Sequence, residues 1–472
     1  MTPDPRFPAP VFALEVDGTR VRDDVLSLLK QVQVDQSWDG SDQLTIQCRA
    51  WDERDAVFRV AGEQIFAPGR SIVLRAGYGT ADHVVGRYTV MPHGLTLGEK
   101  LSEASVTITA HDGTERLLDG QDPRDLRTAQ TYTDCAEAVA SEYGFGIVSD
   151  IGETVPKSAR SRRNRRGETA DVAPSIRKRA GDTDLRFLKL MAAHNRFESP
   201  KVRYIEPNSP LLEVYRRNHD RVVQSTNLGG GLAGGDVLMF RRFNVRRQEA
   251  AEAGPWIFRY QRDDETPGSL ASFSGDWIST RPTLSVRITG LTADGKVETV
   301  EARLRDKSSL LGGDTSAVVI EQVDQRRART QDRRTLGDHG QVIVETLGER
   351  KPVKRYNPLT RRREEVIGRD VVRQTVQVND VGGLRDYAMS YLLSRAGLYV
   401  TASATIINQP GSHRLYPNQA HRFDGVPSEY VGWYRTMTVS HTWAPNGGRH
   451  SISATIEKLS DVDPTITAEA VR

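Results

Sequence analysis

The sequence predicts a mainly β fold with an α+β insert. Apolar and polar residues alternate over short runs near both ends of the chain, and Gly-rich turns separate these runs. Between the β-rich ends lies RAGDTDLRFLKLMAAHNRFE, residues 179–198, which predicts a capped helix that is apolar around most of its circumference. Alternation at a period of two is typical of half-buried strands, whereas this helix follows the period of 3.6.

Residues 1–115 are expected to form an antiparallel β domain. In VFALEVDGTRV the apolar positions alternate, and Asp17-Gly18 is a hairpin turn signal. EASVTITAHDGT repeats the alternation and ends in a second Asp-Gly pair, which we interpret as a turn. In DQLTIQCRAWD one face contains Leu44, Ile46, Cys48 and Ala50. Evenly spaced strands of this kind indicate a sandwich or a barrel.

The pattern changes in residues 116–225. YTDCAEAVASEYGFG predicts a short helix that begins at Thr133 or Asp134 and ends at Gly144. Further along, KVRYIEPNSPLLEVYRR predicts a hairpin that is interrupted at Pro207. This part of the chain is therefore expected to be an α+β insert.

The helix within residues 179–198 has a clear start. Asp182 or Thr183 can accept hydrogen bonds from its first amides, and Asp184 lies where the helix dipole favours negative charge. The apolar arc consists of Leu185, Phe187, Leu188, Leu190, Met191 and Ala192. The solvent side is marked by Arg186, Lys189 and Ala193. Because the arc covers more than half of the helix, we expect burial between layers.

Three parts follow. Residues 226–304 are a β-rich connecting segment with a predicted hairpin around the Asp-Gly pair at 294–295. Residues 305–370 are highly charged and are expected to be an insertion. Residues 371–472 contain a predicted helix that ends at Gly397, followed by a C-terminal β hairpin. One face of that helix contains Leu384, Tyr387, Ala388 and Tyr391.

The predicted C-terminal hairpin consists of GWYRTMTVSHTW, a Gly-rich turn and a returning strand. One face of its first strand contains Trp433, Met437, Val439, His441 and Trp443. The same face of the returning strand contains Ile452, Ala454 and Ile456. The two β-rich ends are compatible with two similar barrels, although no sequence repeat is evident.

Composition narrows the function classes. The 472 residues suggest roughly three domains. Lys plus Arg is 65 and Asp plus Glu is 62, so the net charge of +3 does not indicate a general nucleic-acid binder. Two cysteines cannot build a disulfide framework or a Cys-rich zinc site. We find neither a secretory signal nor an apolar run of membrane-spanning length, and therefore expect no membrane anchor.

Motifs that carry chemistry are weak. Gly229, Gly231 and Gly234 satisfy GxGxxG, but a strand-like run follows them, so a turn is favoured over a phosphate cradle. Cys48 and Cys135 are interpreted as packing residues. Acidic pairs such as Glu364-Glu365 are interpreted as solvated loop charges, while a carboxylate pair brought together by folding stays open.

The histidines do not predict a metal site. No HxxxH pair occurs among His83, His93, His111, His194, His219, His339, His413, His421, His441 and His450. Pro417 separates His413 from His421 and excludes a shared helical face. His441 lies on an alternating strand and is interpreted as a satisfied core or interface histidine. We therefore predict no catalytic, cofactor-binding or metal-binding residue.

Two basic segments need an explanation. Residues 157–179 contain nine basic and two acidic residues without apolar periodicity, which predicts a loop. The second segment, 325–369, has Tyr356 as a lone aromatic residue. Single-stranded nucleic-acid sites usually combine cations with aromatic platforms. A solvated loop or a contact with another protein is therefore favoured over DNA binding.

These features resemble the late-control D, or tail hub, family of phages. The string Gly181-Asp182-Thr183-Asp184-Leu185-Arg186-Phe187-Leu188 resembles the family's "G-[DE]-[TS]-D-x-x-F-L" helix start. The segments SDQLTIQCRAWD and QDPRDL at 121–126 also fit, as do Gly432, Tyr434 and the Val-Ser-His string at 439–441. The resemblance covers most of 10–300 and 370–460.

The resemblance implies two tube-like antiparallel β-barrel domains per chain and a homotrimer that joins a six-fold tail tube to a three-fold spike. The helix at 184 would then be wedged between the barrels. The implied partners are the tail tube, the central spike and other baseplate proteins, and DNA would pass through the ring without sequence-specific binding. The protein would belong to the virion baseplate and assemble in the bacterial cytoplasm.

Two other function classes stay open. One is a tail-associated peptidoglycan hydrolase on a β-rich scaffold. The other is a type VI-like spike that delivers an effector; because this chain ends soon after its last hairpin, that interpretation would require a separate spike protein. A non-enzymatic hub is the preferred hypothesis.

Overall fold

The computed structural model describes residues 9–53, 57, 64–92, 94–97, 103–126, 131–152, 162–163, 169–170, 176–178, 180–195, 197–206, 209–223, 235–241, 256–260, 269–277, 283–291, 297–304, 318–322, 341–348, 353–357, 362–366, 369–375, 384–385, 387–388, 391–392, 400–407, 411–428, 430–445 and 449–460. Its helices are α1 (Asp23–Leu26), α2 (Thr114–Asp119), α3 (Tyr132–Glu142), α4 (Asp184–His194) and α5 (Pro210–Asn218), with a 3₁₀ helix at Ser412–Arg414.

Strands dominate the fold. Up to the insert they are β1 (Pro10–Val16), β2 (Thr19–Arg20), β3 (Leu29–Ser37), β4 (Gln43–Arg49), β5 (Ser71–Tyr78), β6 (His83–Val90), β7 (Gly94–Thr96) and β8 (Ser105–His111). In the insert they are β9 (Arg124–Leu126), β10 (Gly146–Ser149), β11 (Arg162–Arg163), β12 (Thr169–Ala170), β13 (Ile176–Lys178), β14 (Lys201–Ile205), β15 (Arg221–Val223) and β16 (Gly235–Phe240).

The remaining strands follow the insert. They are β17 (Ile257–Arg259), β18 (Leu270–Trp277), β19 (Thr283–Leu291), β20 (Val297–Leu304), β21 (Val318–Gln322), β22 (Gln341–Gly348), β23 (Val353–Asn357), β24 (Arg362–Val366), β25 (Arg369–Thr375), β26 (Val400–Ile407), β27 (Ala420–Asp424), β28 (Gly432–Ala444) and β29 (Arg449–Ser460). The prediction of a mainly β fold with a helical insert is confirmed.

One 14-stranded sheet contains strands from both ends of the chain. Its order is β18-β26-β29-β28-β3-β4-β8-β6-β5-β1-β2, with β7, β17 and β27 attached beside this path. The ends of the chain meet where β28 pairs antiparallel with β3. The strand order is open, so within the described part of the chain backbone hydrogen bonds do not close either expected barrel. The β-rich ends therefore contribute strands to one sheet.

The predicted alternation explains the N-terminal strands. Leu44, Ile46 and Cys48 on β4 are fully buried, and their neighbours on β8 are buried with them. The β1–β2 hairpin turns at Asp17 and Gly18, whose φ angles of 49° and 78° are left-handed, as the Asp-Gly signal predicts.

The sheet carries two hydrophobic cores. The first lies among β1–β8 and also includes Trp443 from β28. The second lies among strands β17, β18 and β26–β29 and includes Phe258, Phe423 and Tyr434. A strand near the C-terminus therefore completes the N-terminal core.

The predicted face of β28 is wrong at Met437, although Trp433, Val439, His441 and Trp443 are buried as expected. The register of β28 against β29 shifts between Thr436 and Thr438, which is a β-bulge. Before the bulge, the even-numbered residues Tyr434 and Thr436 are buried. After the bulge, the buried residues are the odd-numbered Val439, His441 and Trp443. The extra residue reverses the alternation, so Met437 is only half-buried.

The insert packs around its own sheet, β14-β16-β10-β15. Helices α2, α3 and α4 contribute to a core with β10, β14 and β16, and that core includes Phe187, Leu188 and Met191 from α4. The expectation that α4 is wedged between two barrels is therefore wrong. Its apolar face is covered by other elements of the insert.

The ends of the insert helices refine the predictions. The Arg186 amide donates to Thr183 Oγ1 at 3.1 Å, so Thr183 caps α4. Thr131 caps α3, two residues earlier than expected, through a capping box with Asp134. Leu190, which was placed in the apolar arc of α4, is 41% exposed.

Two helices, α2 and α5, were not predicted from the sequence. The turn predicted at the second Asp-Gly pair is present at Gly113, and α2 follows it directly; the Asp112 carboxylate accepts from the Thr114 amide at 3.1 Å at this helix start. The predicted hairpin at 201–217 is β14 followed by α5. Ser209 accepts from the Leu211 amide, and Pro210 occupies the first helical position, where its missing N–H costs nothing.

The charged insertion is not structureless. The hairpin predicted around 294–295 is present as β19–β20, and the charged segment adds β21 and β22 to its sheet, whose order is β21-β20-β19-β22-β25. The described residues of the helix predicted near 384–392 are helical and pack on this sheet, where Leu384, Tyr387 and Ala388 share a hydrophobic core with residues of β19 and β20.

The Arg-rich segment also contains strands. Residues 157–179 contain β11, β12 and β13. Strand β11 pairs with β12, and β13 pairs with β9, which lies earlier in the chain. The loop prediction is therefore wrong for these residues, while the rest of the segment lies outside the described residues. No helix in the described ranges is long and apolar enough to cross a membrane.

Candidate functional site

A cavity with polar and apolar lining residues marks the junction between the large sheet and the insert. Its volume is about 150 Å³. The lining includes Gln36 on β3, Arg87 on β6, Lys201 on β14 and Asn418 next to β27. Three separate parts of the chain therefore meet around it.

A buried carboxylate pair lies at this cavity. Asp42 precedes β4 and Asp112 follows β8, and the antiparallel pairing of β4 with β8 brings the two together. The Asp112 amide donates to the Asp42 carbonyl at 3.0 Å. Lys201 reaches across from the insert and contacts Asp42 Oδ1, while its Nζ lies 2.5 Å from the Ser37 carbonyl.

Both carboxylates are engaged by hydrogen-bond donors of the protein. Asp112 accepts from Ser41 Oγ at 2.9 Å and from Thr114 Oγ1 at 3.1 Å. Asp42 accepts from the Ser37 amide at 3.1 Å. Burial, together with the nearby Asp42 charge, holds the pKa of the Asp112 carboxyl well above its usual range. The pair therefore holds the junction together and can also retain a proton.

Further ion pairs cross the same junction. Arg87 on β6 donates to Asp236 Oδ2 on β16 at 2.5 Å. Arg75 on β5 contacts Glu206 of the insert. Asn418 Nδ2 donates to Glu198 Oε2 at 2.9 Å. The insert is thus attached to both halves of the sheet by charged and polar contacts.

A histidine cluster lies beside the cavity. His83 Nε2 is 2.8 Å from Tyr416 Oη. His441 Nδ1 is 3.1 Å from His450 Nε2, and His441 Nε2 is 2.9 Å from the Leu415 carbonyl. The interpretation of His441 as a satisfied core histidine is confirmed.

A His–Asp contact occurs in the insert. His219 Nδ1 is 3.0 Å from Asp150 Oδ1, but its Nε2 faces Arg241 at 3.4 Å. The buried Ser149 Oγ has no hydrogen-bond partner. A Ser–His–Asp hydrolase requires the histidine to contact the serine hydroxyl, so these residues do not form that arrangement.

Neither of the two cysteines lines this cavity. Cys48 and Cys135 are buried free thiols, and burial raises the pKa of each to about 12, which fits a packing role. Glu364 and Glu365 lie on β24 rather than in a loop. The GxGxxG glycines lie outside the described residues, and strand β16 begins right after them at Gly235.

Metal chemistry has no candidate in the part of the chain that is described: no group of three or more His, Cys, Asp and Glu residues could hold an ion there. Sequence reasoning did not find Asp42, Asp112 and Lys201. The available signal was an aspartate at the end of each of two alternating strands, but which strands pair cannot be read from alternation alone.

The fold is similar to that of known tail proteins. A tail protein from Neisseria meningitidis matches 95% of this chain and 96% of its own, with 10% identity and a TM-score of 0.50. The 43 kDa tail protein of prophage MuSo2 from Shewanella oneidensis matches 96% of this chain and 100% of its own, with 12% identity and a TM-score of 0.47. A component of the type VI secretion system of E. coli matches 95% of this chain and 77% of its own, with 9% identity and a TM-score of 0.44.

No protein-family model and no curated protein matches the sequence. The similarity to the Neisseria protein shows a common fold over nearly the whole of both chains.

Proposed function

We propose that this protein is a structural component of a phage tail or a related contractile injection machine, and that it acts as the baseplate hub. The observation that carries the proposal is the fold shared with the Neisseria tail protein over 95% of this chain and 96% of that one. The hub motif at residues 181–188 supports it, because those residues lead into α4 at the capped start that the motif describes.

The proposed hub is a homotrimer. Three chains with two β-rich ends each would present six similar units to a six-fold tail tube. The same three chains would present three-fold symmetry to a spike. The tube, the spike and other baseplate proteins are the proposed partners, and DNA would pass through the ring without sequence-specific binding. The proposed location is the virion baseplate, after assembly in the host cytoplasm.

Light scattering and cross-linking test the hub. We expect a mass of three times 52.5 kDa for the protein alone, or three copies of the chain per complex after adding purified tube or spike protein. Cross-links between chains should join 10–115 of one subunit to 370–460 of the next. A monomer in the assembled particle, or a dimer cross-linked only through 157–179, would contradict the hub geometry.

The carboxylate pair at the cavity is the one observation that favours the hydrolase alternative. Buried acids with raised pKa values are frequent at active sites. Against it, the cavity of about 150 Å³ is smaller than pockets for drug-sized ligands, which reach roughly 300–1,000 Å³. We expect no release of fragments from purified cell walls. Lysis that is lost in Asp112→Asn, which keeps one acceptor oxygen, would make the hydrolase the better proposal.

A further inference from the structure

A chain of side-chain hydrogen bonds connects the end of β5 to the C-terminal hairpin. Tyr78 Oη lies 2.9 Å from His450 Nδ1. His450 Nε2 lies 3.1 Å from His441 Nδ1, and His441 Nε2 lies 2.9 Å from the Leu415 carbonyl. Tyr78 belongs to the N-terminal half of the sheet, whereas the other three residues follow residue 411. No backbone ladder joins β5 to β28 or β29.

The direction of every hydrogen bond in this chain follows from its last member. The Leu415 carbonyl can only accept, so His441 Nε2 carries a proton. In a neutral ring His441 Nδ1 then accepts, which requires His450 Nε2 to donate. His450 Nδ1 consequently accepts from the Tyr78 hydroxyl. Two neutral imidazoles therefore satisfy all the hydrogen bonds of the chain.

Added protons have unequal effects. A first proton can be accommodated on His441 if the bonds beyond it reverse, because His450 can then accept at Nε2 and donate to Tyr78 from Nδ1. A second proton leaves N–H groups on both sides of the 3.1 Å contact. It also places two cations in parallel rings whose centroids are 5.3 Å apart. Neither effect can be relieved while the rings stay buried.

The surroundings offer little charge compensation. Both rings are fully buried, and Trp443 stacks on His450 at 4.9 Å. Asp35 on β3 is an acidic neighbour of His441, whereas His413 disfavours a charge on either ring.

The cluster's outer members are His83 and His413. Arg203 from the insert and Arg414 disfavour a charge on His83, and Asp82 partly offsets Arg414 at His413. Cations thus face this side of the cluster from β14 and from the 3₁₀ helix.

Burial lowers the pKa of His441 to about 4 and that of His450 to about 2. An ordinary histidine, as in an opened junction, has a pKa near 6.5. The closed state therefore keeps its full stability above about pH 6.5. Below that value the open state takes up protons that the closed state cannot, and the stability of the closed state falls.

We propose that the Tyr78–His450–His441–Leu415 chain is an acid-sensitive latch. It holds the end of β5 against the C-terminal hairpin while the imidazoles are neutral, and it opens when both are protonated. The latch closes the N-terminal half of the sheet on the side where backbone pairing is absent. This inference does not depend on the proposed role in a tail.

Hydrogen exchange measured by mass spectrometry between pH 7 and 4.5, corrected for intrinsic rates, tests the latch. We expect segment 411–415, whose Leu415 carbonyl ends the latch and whose amides bond only within the 3₁₀ helix, to open as the pH falls, while β4 stays protected. The amides of β5 are paired with β1 and β6 and should not report the latch. Each linked proton changes the opening constant tenfold per pH unit. The opening constant of the unmodified protein, with two linked protons, should therefore rise about tenfold more per pH unit than that of His450→Gln, which has one. His421→Gln is the control, because His421 is equally buried in the C-terminal core but lies outside the chain.

Equal slopes for the unmodified protein and His450→Gln, or simultaneous opening of β4, would overturn the proposal. A reduced slope in His421→Gln would indicate unfolding of the C-terminal core instead of latch opening, and it would also overturn the proposal. Histidine ¹⁵N NMR of the unmodified protein at pH 7.5 supplies a test without a variant. Both His441 and His450 should carry their proton on Nε2, and an Nδ1–H tautomer of either ring would refute the latch.

Discussion

Lys178 and Asp184 form an ion pair with no solvent exposure of either side chain. Lys178 Nζ lies 2.6 Å from Asp184 Oδ1 and 2.8 Å from the Gly120 carbonyl. The Tyr143 hydroxyl donates to Asp184 Oδ2 at 2.6 Å. A buried charge is tolerated only with such partners, since removing one partner leaves the other charge without compensation.

We expect Lys178→Met to destabilise the protein by about 3–5 kcal/mol, because it leaves the Asp184 carboxylate buried without its cation. Urea unfolding followed by the signal of the insert measures this effect. Arg186→Ala is the matched control: it removes an ion pair to Asp182 whose arginine is 71% exposed, and should cost less than about 1 kcal/mol. Equal losses in the two variants would show that burial does not make the Lys178–Asp184 pair more important than the exposed one.

At the scale of single elements, α4 shows how the width of an apolar arc can mislead. Leu188 is fully buried in the core of the insert, whereas Leu190 is 41% exposed. The two residues lie about 200° apart around a helix at 100° per residue, so they cannot face the same core. The buried arc is narrower than the distribution of apolar residues suggests.

Leu188→Ala should therefore cost about 2–5 kcal/mol, while Leu190→Ala should change the free energy of unfolding by about 0.5 kcal/mol or less. Both variants remove the same atoms from the same helix, so the difference reports burial alone. Thermal or urea unfolding of the two proteins measures it. If Leu190→Ala proved as destabilising as Leu188→Ala in the isolated chain, α4 would have to turn a different face toward the core of the insert.

At the scale of the whole molecule, the sheet makes the two ends of the chain interdependent. Strand β28 pairs with β3, and Trp443 from β28 is buried in the core of β1–β8. An N-terminal fragment would lose this side chain and leave the edge of β3 unpaired, which favours aggregation.

We expect Trp443→Ala to destabilise the N-terminal strands by about 3–5 kcal/mol, the usual cost of a buried tryptophan. Hydrogen exchange in β4 and β8 should rise even though the substitution lies near the C-terminus. Trp256→Ala, at a tryptophan packed against the other core, should leave β4 and β8 protected. Exchange that rises only in β28 and β29 after the Trp443 substitution would show that the cores are independent.

Interactions that are local in sequence were predictable. The Asp-Gly turn of β1–β2, the strands with regular alternation and the capped start of α4 depend on residues within one turn or one strand. The α5 segment was misread because Pro207 suggested a break, whereas Ser209 and Pro210 form a helix start. The bulge in β28 was invisible because it depends on the register against β29.

The sequence by itself determined that this protein is mainly β, where the β1–β2 turn and the start of α4 lie, and which faces of regular strands such as β4 are apolar, since those properties follow from periodicity and local capping. The tertiary structure alone decided that both ends share a sheet, that α4 packs within the insert, and that Asp42, Asp112 and the histidines meet at a junction. Such choices depend on which surfaces pair across hundreds of residues. Alternation states that a face is buried but carries no information about its partner.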